Sequence, residues 1–287
     1  THLDVIGSSR TDKGVHSLGN TAHCDIFPRL SRKGTTHLEV PSAESVLKGV
    51  NAKLREKNHL IQLNSVWKLP QDSMLHARYS AINRYYRYLV VAPKNQSTSS
   101  SSLTTAAPNR HRGSTSFYSH GPLHCRDSHT YLALPLQLPE LLACLDAIQG
   151  TWDFSLFRAA GCTAPSPVRT ITHASVDISD IPVHLTAEGG VPRADAALQL
   201  YTFHLHSPAF LYRQIVNIMG FMLRVGMGMD TVTSFQQSLL PALPGPTIQP
   251  PQSRRHMPAA APAQGLYLTQ VTYPPAMLED AEHASLW

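Results

Sequence analysis

The period of the apolar residues changes abruptly at Pro208, and that change limits what this chain can fold into. Before it, Leu198–His206 alternates, with Tyr201, Phe203 and Leu205 on one face, which is the two-residue period of a strand. After it, Leu211, Ile215, Ile218, Met219, Met222 and Leu223 recur at helical spacing and form one apolar stripe, with Pro208 opening the helix. A strand that feeds directly into so apolar a helix calls for a layered fold.

The remaining elements fit such a fold. Ser42 is placed to cap a helix whose stripe is Val46, Leu47, Val50 and Leu54. Pro139 opens a second helix, striped by Leu141, Leu142, Leu145 and Ile148 and ended by Gly150. Strands are expected at Asn20–Phe27, Leu60–Leu69, the second half of His76–Val91, Thr170–Ile178 and Ala261–Tyr273. In the Tyr-rich strand Arg84, Tyr86 and Tyr88 share one face, and Tyr85 and Arg87 share the other. The class is therefore α+β, with two α/β units and mainly antiparallel sheets. The expected division is 1–107, ending in the Ser-rich low-complexity stretch Asn95–Ala107, and 108–287. Leu239–Pro262 reads as a Pro-rich connector carrying Arg254, Arg255 and His256.

Composition narrows the partners. Of 287 residues 42% are hydrophobic, enough for a sizeable core, and Lys plus Arg exceed Asp plus Glu by 24 − 19 = 5. That basic excess suits a polyanion such as RNA. Cys24, Cys125, Cys144 and Cys162 form no C-x-x-C pair, so neither a zinc site nor a dense disulfide framework is expected, and a reducing interior is the simpler reading. No run of eighteen apolar residues is present, so no transmembrane span is expected.

The chemistry is concentrated in Gly7–Ser17, GSSRTDKGVHS. Asp12 lies between Arg10 and Lys13, and Gly14 follows at once. On composition alone this is a solvated turn, with Gly14 supplying a positive φ. It is also the setting a carboxylate nucleophile needs, because two adjacent cations favour the ionised form of Asp12.

SRTDKGVHS resembles the GRTDxGVHA signature of the TruA family of tRNA pseudouridine synthases, and the likeness continues along the chain. HARYSAINRYYRY resembles the family's HARFSAxxRxYRY, WDFSLFR its H-D-F-x-x-F-R, AFLYRQIVNIMG its AFLxxMVRNIVG and APAQGLYLTQVTY its APAxGLYLxxVxY. The resemblance implies two ferredoxin-like halves flanking a basic cleft, with no metal and no cofactor, acting on tRNA. It implies Asp12 as the catalytic carboxylate, Tyr86 stacking on the uracil, Arg10 helping to expose the target nucleotide and Leu266 packing against it. Arg84, Arg87, Arg110 and Arg112 are candidates for phosphate contacts. The family's first strand and its Y-x-G-x-x-F-x-G-x-Q segment are not found before the motif, so the N-terminal strand is expected to be missing.

One position departs from the pattern. The family Arg that pairs with the catalytic Asp is Val216 here, and Arg213 lies one helical turn earlier. The departure keeps a non-catalytic RNA-binding member of the same fold as the alternative. A plain ferredoxin-like RNA-recognition module is a third reading, but it gives the Asp12 loop and the GLYL strand no reason to exist. FLYRQ resembles the pseudouridylate synthase-like branch, which implies a mitochondrial location, with cytoplasm or nucleus as the alternative; the family also tends to dimerise.

Overall fold

The computed structural model describes residues 3–27, 39–95, 118, 127–181, 197–242 and 257–286. Arg110, Arg112, Arg254, Arg255, His256, the expected boundary at 107 and most of the Ser-rich stretch lie outside these residues. In chain order the elements are β1 (Ile6–Gly7), β2 (His16–Ser17), β3 (Ala22–His23), α1 (Ala43–Glu56), β4 (Ser65–Lys68) and β5 (Asn83–Pro93). They continue as β6 (Thr130–Tyr131), α2 (Leu138–Ile148), β7 (Gly150–Asp153), β8 (Val168–Ile171), β9 (His173–Ile181) and β10 (Leu198–Ser207). The last are α3 (Gln214–Gly226), α4 (Val232–Gln237), β11 (Leu240–Pro241), β12 (Leu266–Thr272) and β13 (Glu282–Ser285). Helices and mostly antiparallel sheets together make the fold mixed α+β. No helix among the described residues is long and apolar enough to cross a membrane.

The chain forms two compact units. The first comprises Thr1–Arg10, Asn20–Ile82 and Val271–Trp287. There β1 pairs with β3 and β4 with β13, both antiparallel, and α1 packs on β4 and β13. The Ser42 hydroxyl accepts from the Ser45 N–H at 3.3 Å, as its capping position predicts, and the Glu282 carboxylate accepts from Ala43 N–H at 2.8 Å. The strand expected at Leu60–Leu69 shrinks to β4. Both backbone groups of Leu63 are taken by the Asn51 side chain, each at 2.8 Å, so they cannot join a ladder. Leu60 and Ile61 accordingly lie in solvent.

The second unit comprises Thr11–Gly19 and Asn83–Gln270. Its main sheet runs β2-β12-β5-β10-β9, with β6 added on β5. β5, β10 and β9 are antiparallel, whereas β2 lies parallel to β12 and β6 parallel to β5. A smaller sheet, β11-β7-β8, completes it. Arg84, Tyr86 and Tyr88 share one face of β5, as the alternation predicts; with Val90 they are buried there, and Phe203 and Leu205 lie on the matching face of β10. Tyr86, Tyr88, Val90, Phe203 and Leu205 form the core with Ile218, Met219, Met222, Leu141, Leu145 and Phe235, the aliphatic, Met and Phe side chains contributing roughly 1.5–3 kcal/mol each.

The strand expected at Thr170–Ile178 divides into β8 and β9, because the chain changes sheets at Thr172, whose N–H donates to the His206 carbonyl at 2.9 Å. α3 starts at Gln214 rather than at Pro208. The Ser207 hydroxyl donates to the Ala209 carbonyl and accepts from the Ala209 N–H, which makes a turn, and Arg213 sits in the left-handed region at φ 57°. α3 is buried on nearly every face, beyond the single stripe read from sequence.

Gly220 lets the chain before β12 lie directly on α3. A Cβ there would fall 2.2 Å from the Ala259 carbonyl oxygen and 2.9 Å from the Ala261 nitrogen. In an open helix Gly→Ala gains about 1 kcal/mol, but overpacking against backbone costs about 1–3 kcal/mol. Gly220→Ala is therefore expected to lower the urea midpoint, despite its better helix propensity.

Candidate active site

Asp12 enters unit 2 on a turn that the last strand holds. The Val15 N–H donates to the Asp12 carbonyl at 2.9 Å, and Gly14 takes φ 86°, the conformation for which a glycine is needed. Beyond the turn, His16 pairs with Tyr267 and Ser17 with Leu268. The His16 ring stacks on Tyr267 at 4.6 Å and donates from Nε2 to the Asp127 carbonyl at 2.7 Å. The Leu18 N–H donates to the Leu268 carbonyl at 2.8 Å. Asp12 thus precedes a strand fixed to the one that begins at Leu266.

The segment entering β12 is anchored from below. The Tyr88 hydroxyl is fully buried and donates to the Pro262 carbonyl at 2.7 Å, so its 2.7 Å bond with Thr130 Oγ1 must run from Thr130 to Tyr88. Burial pushes the Tyr88 phenol well above its usual range and keeps it a donor. Gly265 passes so close to this pair that a Cβ would fall 2.6 Å from Thr130 Oγ1 and 3.0 Å from Tyr88 Cζ. Ala263 lies on the other side, 3.4 Å from where a Gly14 Cβ would stand. The Asp12 turn and the start of β12 are therefore packed on each other.

Electrostatically, Asp12 differs from the sequence expectation. Its carboxyl is pushed above the ordinary Asp value by partial burial, and the Arg213 guanidinium pulls it back down. The opposing cation is Arg213, on the turn before α3, and not the flanking Arg10 or Lys13. Val216 is buried in α3, and its carbonyl accepts from Ala261 N–H at 2.8 Å.

Unit 2 therefore contains Asp12, Tyr86, Leu266 and Arg213. Tyr86 is 8% exposed and meets Phe210 edge-on at 5.2 Å, so little of its ring is open for stacking. Leu266 is buried at the start of β12, the strand beside β5. Arg10 belongs to unit 1 and is exposed. Arg84, expected at a phosphate, is instead buried and donates to the Pro208 carbonyl; Arg87 is exposed on the opposite face of β5. Among the described residues no group of three His, Cys, Asp or Glu side chains could hold a metal ion.

Known proteins share this arrangement of sequence. A family model described as tRNA pseudouridine synthase matches residues 145–274. tRNA pseudouridine synthase A of Neisseria gonorrhoeae is 32% identical over 270 residues, covering 94% of this chain and 76% of that protein. The chain belongs to the TruA family of tRNA pseudouridine synthases. The tRNA pseudouridine synthase-like 1 proteins of Mus musculus and Homo sapiens are 30% and 29% identical, each over 93% of this chain and 77% and 74% of their own lengths. In this TruA-family chain the family-model span holds Arg213 and Leu266, while Asp12 and Tyr86 lie upstream of it. The Tyr88–Thr130–Pro262 anchor was not read from sequence; its only signal there is a Tyr in register with the buried face of β5.

Proposed function

We propose that this chain isomerises uridine to pseudouridine in tRNA, with Asp12 as the catalytic carboxylate and Arg213 as its cation. The C1′–N1 bond breaks, the uracil turns, C1′–C5 forms, and the proton on C5 leaves as N1 gains one. Substrate and product are isomers, so the atom balance needs no oxidant or reductant. A flipped nucleotide must leave its stack to reach such a site. Arg10 helps to expose it, Tyr86 borders the base, and Leu266 packs against it.

The observation that carries this reading is Arg213. It holds a left-handed backbone costing about 1–2 kcal/mol, and it puts a cation at the positive end of a helix, which is also unfavourable. Folding gains nothing from either cost, while a half-buried Asp12 gains a counter-charge. Such an outlier supports a functional role. The non-catalytic alternative, motivated by Val216, is not favoured, because the relatives are named as synthases and Arg213 is available as the cation.

Two ferredoxin-like halves, a basic cleft, a homodimer and a mitochondrial address belong to the same reading. The antiparallel sheets and the formal charge of +5 support the halves and the cleft; the homodimer and the mitochondrial address, with cytoplasm or nucleus as the alternative, rest on the family resemblance alone. The test is pseudouridine mapping on unmodified bulk tRNA incubated with the chain. Uridine converted at discrete positions is the expected result; tRNA left unmodified overturns the proposal.

A further inference from the structure

Unit 2 holds a second cationic cluster that the isomerisation does not use. Arg158 follows the turn Ser155–Phe157 and is half-buried. Its segment is tied to the start of α3 at two points. The Ala159 N–H donates to the Tyr212 carbonyl at 3.0 Å, and the Asn217 side-chain amide donates to the Phe157 carbonyl at 2.6 Å. Arg158 lies between these ties on one strand of chain, and Arg213 lies between them on the other. Behind Arg158 the chain turns at Gly161, at φ 80°, and the Cys162 N–H closes on the Ala159 carbonyl at 3.2 Å.

Arg169 comes from β8, which lies against the same turn: Asp153 pairs with Val168, the Phe154 N–H donates to the Pro167 carbonyl at 3.2 Å, and the Arg158 N–H donates to the Phe154 carbonyl at 3.1 Å. Arg169 Nη1 donates to the carbonyls of Ser166 at 2.9 Å and Val168 at 2.5 Å, which fixes the guanidinium, and its Nε is buried with no partner. Burial lowers Arg169 from its ordinary value, and the nearby Arg158 charge lowers it further while Cys162 acts the other way. Among the described residues neither guanidinium has a carboxylate within ion-pair distance.

Two like charges held together without a counter-ion repel, and a buried unpaired N–H is itself unfavourable. An anion with several acceptor oxygens relieves the repulsion, and Arg forks match phosphate geometry. We propose that Arg158 and Arg169 form a backbone-phosphate subsite, gripping a phosphodiester of the tRNA close to the nucleotide that reaches Asp12. This rests on the reading of tRNA as substrate.

The test is tRNA binding at several salt concentrations for the wild-type chain, Arg158→Gln and Arg158→Lys. Arg158→Gln is expected to weaken affinity about 5- to 10-fold at low salt and to reduce the slope of log affinity against log salt by about 0.7–1. Arg158→Lys is expected to keep the slope. An unchanged slope in Arg158→Gln overturns the subsite, whether or not affinity falls. Modification of the wild-type chain by phenylglyoxal, read by mass spectrometry, asks the same question without a variant. Bound tRNA is expected to protect Arg158. No protection, or equal protection by inorganic phosphate, overturns the assignment to a phosphodiester. Pseudouridine is measured in the same samples, so tRNA bound but unconverted counts against the proposed function alone.

Discussion

Asp12→Asn is expected to abolish pseudouridine formation, a loss of roughly 10⁴-fold or more, while tRNA is still bound. The substitution keeps the size of the side chain and removes its charge, so the turn closed by Val15 N–H stays in place. Stability separates this result from misfolding. Burial holds the folded Asp12 carboxyl above its ordinary value of 3.8. An acid with a raised folded pKa contributes stability below its unfolded pKa and loses it as pH rises through the folded one. At neutral pH the charged Asp12 is therefore a cost to folding, and Asp12→Asn is expected to melt no lower than wild type. An active Asp12→Asn enzyme would remove the central assignment. So would an inactive one that melts well below the parent, until Asp12→Glu or Asp12→Ser repeated the loss in a folded chain.

Arg213→Gly has the second-largest expected effect, and its effect on stability depends on pH. Glycine relieves the left-handed strain of about 1–2 kcal/mol and loses about 0.5–1 kcal/mol to unfolded-state entropy. A gain of up to about 1.5 kcal/mol remains at acid pH, where Asp12 is protonated, so the urea midpoint is expected to rise or hold there; at neutral pH the lost counter-charge at Asp12 offsets that gain. Removing the guanidinium leaves burial unopposed at Asp12, so its pKa rises further. The acid limb of kcat/KM is then expected to move to higher pH, by about one pH unit for each roughly 1.4 kcal/mol of lost interaction, with the loss of activity largest on the acid side. Arg213→Lys, which keeps the charge, is expected to hold the limb near its wild-type position. A limb that stays put in Arg213→Gly would deny the pairing with Asp12.

What could be read from sequence was local. Ser42 caps α1, Gly14 takes its positive φ, and β5 sets Arg84, Tyr86 and Tyr88 on one face because each depends on near neighbours alone. The α3 start was misplaced because Leu211 continues the apolar stripe in sequence, whereas Arg213 takes a left-handed backbone and the helix begins only after it. Residues 60–64 looked like strand because alternation says nothing of a distant Asn51 claiming Leu63. At the candidate site the motif singles out Asp12 and the family pattern brings in Arg213 one turn before Val216, but neither shows that Arg213, rather than the flanking Arg10 or Lys13, is the cation that opposes the burial of Asp12. The burial of Arg84 could not be read either, since it depends on the Pro208 carbonyl across the fold.

The parallel pairing of His16 and Ser17 with Tyr267 and Leu268 has a consequence for biosynthesis. A ribosome releases the Asp12 turn long before the strand that seats it. Until that strand emerges the carboxylate has no lodging, and a chain cut short before Leu268 carries the motif without the chemistry. On the proposed assignment of Asp12, a chain that ends before β12 is expected to form no pseudouridine.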